Sequence, residues 1–388
     1  MSEDHGALLP NGMVDSLPAR AESESRVSMD ALRVFADFGY RQVNPPLVEF
    51  EDSLLTSAGG QAIAKNMFRL MDPVSRRMMA IRSDATIQIA RLAASRLKSI
   101  PRPLRLSYMA DVLRVEGTQL RPERQFRQVG CEMLGSASIE ASVEAAFLAV
   151  YALRKIGVPQ VSIDFAAPEI VRDLALKAKK KDEFTRAAQL RDEDALKKAG
   201  DEGKLLIKLN QAAGEADAFF AQVKKMTLAP AVKKSIARLQ AVVTGLRDAL
   251  RVYGMTSTVT VTIDVLETKG FDYQTSPSFT LFSRGVRGEL GRGGFYEAAF
   301  PLNDEKAHAE PANGFTLYVD TILRSIPEEA PVRRIFAPAK TSWDEIRMLQ
   351  TEGFSVIRGS DDAKVPKDLT SLECTHVYKN GKITNLEE

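Results

Sequence analysis

LRLSYMADVLRVEGTQLRPERQFRQVGCEMLG, residues 104–135, is the stretch on which the fold turns. It reads as two strands joined by a charged, Gly- and Pro-containing connection, EGTQLRPE at 116–123. Side chains alternate across a strand, so residues two and four apart share a face. On the second strand one face carries Arg124, Phe126, Gln128, Gly130 and Glu132, and the other carries Val129, Cys131 and Met133, which suit a core. Gln and Glu on either side of a glycine leave space flanked by hydrogen-bonding groups, a way to hold a small polar ligand. The competing interpretation is a strand with one solvated face. Arg114, at the end of the first strand, adds a cationic fork suited to a carboxylate or phosphate.

Outward from this stretch, composition narrows the classes. A chain of 388 residues is too long for one small core and suggests two or three domains. With 44% hydrophobic and 27% charged residues it has the balance of a soluble globular protein. A formal net charge of +2 argues against a molecule built wholly around nucleic acid. Two cysteines, Cys131 and Cys374, make no disulfide framework and fit a reducing cytoplasm. His5, His308 and His376 have no metal-ligand spacing, and no metal or cofactor is expected. No secretory leader and no membrane span is read.

In chain order, residues 1–20, with two prolines and two glycines, read as a loosely held arm. A helix follows over about 23–38, with Val27, Ala31, Val34, Phe35 and Phe38 at helical spacing and Gly39 as its stop. The strand 41–44 runs into Pro45-Pro46. Residues 67–71 and 78–82 read as a hairpin, and Ile81-Arg82-Ser83-Asp84-Ala85-Thr86 leads into a helix over 87–97. Asp84 and Thr86 there could cap that helix, or could receive an ammonium group. Ser136 and Ser138 precede a core helix that ends at Gly157-Val158-Pro159, and a strand follows at 161–165. From about 167 to 253 the composition turns helical, with 18 Lys and Arg against 11 Asp and Glu over 171–251. That excess of seven is best explained as a solvated face, because acids are interleaved and aromatics are scarce. The sheet resumes at 258–264 and 279–284. The tail from about 331 holds a strand, a helix, another strand and a hairpin turning at Asn380-Gly381.

These residues carry a family resemblance. Arg114-Val115-Glu116, a loop, then Arg124-Gln125-Phe126-Arg127-Gln128-Val129-Gly130-Cys131-Glu132 resembles the second signature motif of class II aminoacyl-tRNA synthetases, in particular the histidyl branch. The helix, strand and Pro45-Pro46 resemble the first motif, which in that family forms the dimer interface. Asp84 and Thr86 fall on the Glu and Thr of a histidyl segment, Arg-Pro-Glu-Gly-Thr, that holds the α-amino group of histidine. Lys269-Gly270-Phe271-Asp272-Tyr273-Gln274-Thr275 is similar to the histidine-specific Arg-Gly-Leu-Asp-Tyr-Tyr-Thr, with Lys269 for its Arg and Gln274 for its second Tyr. Gly293-Gly294-Phe295-Tyr296-Glu297 resembles the second specific peptide, Gly-Gly-Arg-Tyr-Asp. The third motif, Gly-Phe-x-x-Gly-x-Glu-Arg, falls on Gly314-Phe315-Thr316-Leu317-Tyr318-Val319-Asp320-Thr321, where Tyr318 and Thr321 stand for the Gly and Arg that serve ATP.

The resemblance implies an α+β fold: a class II aminoacyl-tRNA synthetase-like antiparallel sheet flanked by helices. The core would span 1–325, with a helical insertion at about 167–253 and a small α/β C-terminal domain at 331–388. A partly kept amino-acid pocket, a lost third motif and a tail short for an anticodon-binding domain together resemble the regulatory subunits of ATP phosphoribosyltransferase. That family implies a non-catalytic homodimer that assembles with the short-form catalytic subunit in histidine biosynthesis, supports its activity and relays inhibition by histidine. Asp84 and Thr86 would then meet the α-amino group, with Arg114, Gln128 and Lys269 on the carboxylate side. Glu132, Tyr273, Gln274 and Tyr296 would meet the imidazole. No transfer RNA is expected as partner. The alternatives are an active histidyl-tRNA synthetase and a synthetase-like amino-acid sensor with another partner.

Overall fold

The computed structural model describes residues 9–55, 64–118, 121–267, 274–300, 308–327, 332–360, 369 and 372–386. The chain begins with α1 (Pro18–Asp37), which starts on a proline at its first turn and stops where Gly39 takes a φ of +79°. It starts five residues before the expected 23, because its first turns are largely exposed and carry no apolar periodicity. Next come β1 (Arg41–Gln42), β2 (Val48–Phe50), α2 (Glu51–Leu55), β3 (Arg69–Met71) and β4 (Met78–Ile81). The expected hairpin is β3–β4, but β2 also pairs with β4, so the unit is a three-stranded sheet in the order β2-β4-β3. The helix α3 (Thr86–Ala94) then leads to the long strands β5 (Leu104–Leu113) and β6 (Gln125–Leu134).

The helix α4 (Ile139–Ile156) is capped by Ser138, whose Oγ accepts from the Ala141 N–H at 3.1 Å, and closes on Gly157 at a φ of +110°. After β7 (Val161–Ala166) come α5 (Pro168–Lys177), α6 (Lys181–Leu190), α7 (Glu193–Lys198), α8 (Asp201–Gln211), β8 (Gly214–Glu215), α9 (Ala216–Val223) and α10 (Pro230–Val252). The composition shift near 167 is therefore a run of helices, interrupted only by the two-residue β8. The strands β9 (Val259–Ile263), β10 (Gln274–Phe282), β11 (Gly291–Phe300) and β12 (His308–Tyr318) follow, and α11 (Val319–Leu323) ends this part.

All the strands of this part outside the β2-β4-β3 unit join one nine-stranded sheet in the order β1-β5-β6-β12-β11-β10-β7-β9-β8. Its centre is antiparallel from β5 to β7, and only the β1–β5 and β7–β9 pairs are parallel. One face packs Val129, Cys131 and Met133 of β6 against Val27, Ala31 and Phe35 of α1 and a row of apolar side chains on α4. The other face packs Leu104, Leu106 and Tyr108 of β5 and Tyr296 of β11 against Ala85 and against Ile89 and Ala93 of α3. Both faces of β6 are thus buried, and a solvated face is excluded.

The chain divides into two compact units, residues 1–326 and 327–388. The second holds β13 (Arg334–Ala337), α12 (Trp343–Thr351), β14 (Ser355–Arg358), β15 (His376–Lys379) and β16 (Lys382–Asn385). Its sheet runs β14-β13-β15-β16 around Ile335, Ala337, Leu349, Phe354 and Tyr378. Asn380 and Gly381 both take positive φ, +51° and +75°, which is the two-residue type I′ turn that joins β15 to β16. Among the described residues no helix is long and apolar enough to cross a membrane.

Candidate functional site

Cross-strand register builds the site. Glu132 of β6 lies opposite Leu106 of β5 on one side and Gly314 of β12 on the other, and Gly314 lies opposite Gly294 of β11. Two successive strands therefore carry no side chain in the row next to Glu132. The space is needed, since a Cβ at Gly314 would come within 1.6 Å of Glu132 Oε2. The carboxyl group lies over the Gly314 backbone and is 1% exposed.

Two hydroxyls hold it. Thr86 Oγ1, at the start of α3, donates to Glu132 Oε1 at 3.0 Å, and the Tyr296 hydroxyl donates to Oε2 at 2.9 Å. These bonds favour the ionised form, but burial outweighs them and the nearby Asp84 adds to it. The Glu132 carboxyl is raised to about 8. The Tyr108 hydroxyl, 2.5 Å from Thr316 Oγ1, lies beneath, and burial together with Glu132 and Asp84 raises it well above the phenol range.

A second set of bonds fixes the segment before α3. Asp84 Oδ1 accepts from the Thr86 N–H at 2.9 Å, and its Oδ2 accepts from Gln128 Nε2 at 3.2 Å. Gln128 Oε1 accepts in turn from the Ala85 N–H at 3.1 Å. The N-cap is Ala85 and no side chain caps from it; Asp84, one residue earlier, meets the N–H of the first helical residue with one oxygen, and the Thr86 hydroxyl turns to Glu132. Arg82 anchors the same segment from below, donating to the backbone carbonyls of Asp111 at 2.7 Å and Pro45 at 2.9 Å. Arg114 donates to the Ser83 carbonyl at 3.4 Å and stacks over Phe126 at 4.9 Å.

Asp84, Thr86, Gln128, Glu132 and Tyr296 are thus brought into one hydrogen-bonded group, with Arg114 at its margin. The Gln274 backbone lies opposite Tyr296 on the neighbouring strand. Lys269 and Tyr273 lie outside the described residues, as does the side chain of Gln274. One expectation is corrected. The space at Gly130 is not open to a ligand, because a Cβ there would meet the Tyr108 hydroxyl at 2.7 Å and the Phe315 carbonyl at 2.3 Å. The ring of Tyr108, from the facing strand, occupies it. Nothing in the sequence alone marks Tyr108 or Thr316 as a site residue, and Gly314 is legible there only within the third-motif segment. Tyr108 shares the apolar alternation of Leu106 and Ala110, and only the register carries it to Thr316.

The far end of β12 is closed. Tyr318 lies opposite Gln128, is buried, and meets Phe126 edge-on with ring centroids 5.9 Å apart. The Arg121 guanidinium lies over the Tyr318 ring at 3.8 Å. Its Nε donates to Asp320 Oδ2 at 3.2 Å, and another nitrogen donates to Thr321 Oγ1 at 3.2 Å. A cation is therefore present beside Tyr318, but a buried carboxylate and an aromatic ring hold it.

Comparison with known proteins bears on the fold and the family. A histidyl-tRNA synthetase family profile matches residues 12–322. A solved histidyl-tRNA synthetase from Nostoc superposes with a TM-score of 0.75 at 16% identity, covering 98% of this chain and 95% of that one. A Bacillus halodurans structure described as an ATP phosphoribosyltransferase regulatory subunit/histidyl-tRNA synthetase also gives 0.75, at 21% identity, covering 96% and 97%. The fold is therefore that of the class II synthetases. ATP phosphoribosyltransferase regulatory subunits of Rhodospirillum centenum and Paramagnetospirillum magneticum are 42% and 41% identical to this chain; the first match covers 98% of this chain and 97% of the relative, the second 98% of each. The chain belongs to the histidyl-tRNA synthetase-like family and, within it, to the ATP phosphoribosyltransferase regulatory subunits.

Proposed function

We propose that this chain is a histidine-sensing, non-catalytic subunit that assembles with a short-form catalytic ATP phosphoribosyltransferase subunit, supports its activity and relays feedback inhibition by histidine. The observation that carries this reading is the asymmetry of β12. At Gly314 the strand is bare and a buried carboxyl group lies on it, while at Tyr318 it is filled by a ring that pairs with Arg121. In this reading an amino acid is met at the first end, and at the second the Tyr318 ring stands where the third motif has the glycine that serves ATP.

In this reading Asp84 and Thr86 face the α-amino group, and Glu132 and Tyr296 face the imidazole, together with Tyr273 and Gln274. Arg114 and Lys269 stand on the carboxylate side. Gln128 acts by holding Asp84 and Ala85, since both ends of its amide are engaged. Regulation then requires that histidine bind the inhibited assembly more tightly than the active one, because a ligand shifts an equilibrium only by its differential affinity.

The test is phosphoribosyltransferase activity of the catalytic subunit with and without this chain, across a histidine titration. Higher activity with the chain and suppression by histidine are expected, and Glu132→Ala should keep the first and weaken the second. A chain that leaves the activity unchanged, or that supports ATP-dependent activation of histidine, overturns the proposal.

A further inference from the structure

The run of helices between β7 and β9 carries a surface that the histidine site does not use. Helices α5 and α6, joined by a three-residue connection, enclose a groove of about 720 Å³. Its walls are single helix faces: Arg172, Ala175 and Leu176 recur at helical spacing on α5, and Lys181, Thr185, Arg186, Gln189 and Leu190 on α6. Leu176 and Leu190 stand at 68% and 65% exposure at the groove. A pair of such leucines facing one concavity is a cost in a surface that nothing covers.

The rim is predominantly cationic. Arg172, Lys181 and Arg186 are exposed and make no ion pair among the described residues, whereas Asp182 is the one acid lining the groove. Nearby, Lys180 is paired with Glu183 at 2.8 Å and Lys197 of α7 with Asp194 at 3.2 Å, whereas the three groove cations have no such partner among the described residues. Apolar centre and cationic rim together specify the complement. It is an element with apolar side chains along one stripe and carboxylates flanking it, and the groove's size suits a run of side chains, not a whole domain.

We propose that the α5–α6 groove is a docking site for an acidic amphipathic helix of a partner protein. Nucleic acid is the poorer fit, because the lining offers no aromatic platform for a base and exposes leucine in its place.

The probe is a synthetic fluorescent helix bearing leucines at i, i+3 and i+4 flanked by glutamates, titrated into the full chain by anisotropy. Lysine-flanked and scrambled versions, single-stranded RNA and anionic phosphatidylserine vesicles serve as controls. Saturable binding of the acidic helix alone is expected. Added salt and the R172E/R186E variant should each weaken it by about tenfold, and Leu190→Ala should weaken it without changing the salt dependence. All these positions are exposed, so the variants keep the fold, and an unchanged circular dichroism melt checks this. Absence of binding, equal binding of the lysine version, or RNA or vesicle binding with the same mutational pattern overturns the proposal.

Discussion

Glu132 is a carboxyl group removed from water and left with hydroxyl partners, Thr86 and Tyr296, and that arrangement has measurable consequences. Its acidity in the fold, about 8, lies above the ordinary 4.5, so the folded state prefers the protonated form. This contribution to stability is fully present below about 4.5 and is lost as pH rises through about 8. Chemical denaturation across that range should show wild type losing a few kcal/mol relative to Glu132→Gln, whose own profile stays flat at this site. A rising wild-type advantage would refute the assignment. A cationic ligand reverses the preference, since an ammonium or imidazolium group favours the carboxylate. The imidazole that Glu132 meets titrates at about 6.5, so between about pH 6.5 and 8 the bound pair holds the one proton that the free carboxyl group brings; histidine affinity should be level across that window, without net proton release, and fall as pH rises above about 8. In Glu132→Gln that dependence should vanish and affinity should fall by about tenfold or more.

At the scale of elements, β12 separates the two ends of the site. Gly314→Ala places a methyl group into the Glu132 carboxyl and should cost about 1–3 kcal/mol while abolishing histidine binding. Thermal melts and calorimetry read the two effects separately, and a tolerated alanine with normal binding would remove Gly314 from the account. At the other end, Arg121→Ala leaves Asp320, whose side chain is only 3% exposed, with the longer Arg324 contact at 3.7 Å and the Thr321 hydroxyl, and should destabilise by about 2–3 kcal/mol by denaturant titration. A loss below about 1 kcal/mol would mean that Asp320 is not held by this arginine. The sequence already pointed to much of β12 and β6. The alternation placed Val129, Cys131 and Met133 in the core, and the glycines and Tyr318 marked an altered third motif. What it could not supply was register. That Glu132 faces Gly314, that Tyr108 fills the space at Gly130, and that Arg121 reaches Asp320 nearly two hundred positions away are contacts between elements, and no local periodicity encodes them. The same reason explains β2: a three-residue strand has too little alternation to be seen before its partner β4 is known.

At the scale of the whole molecule, the two units have separate cores of very different size. Among the described residues the unit at 327–388 has a cluster of five buried side chains, and a domain of that length buries little of its surface. Hydrogen exchange should show its strands opening at lower free energy than β5, β6 and β12, whose protection should approach the global value; uniform protection would contradict the division. The central claim concerns the larger unit: it meets an amino acid without a nucleotide. The most direct measurement is calorimetric titration of histidine into the isolated chain, with and without ATP and Mg²⁺, for wild type and Glu132→Ala. The account predicts one histidine site per chain, lost in the variant and indifferent to ATP. Histidine binding that survives Glu132→Ala, or that strengthens when ATP is present, would contradict it.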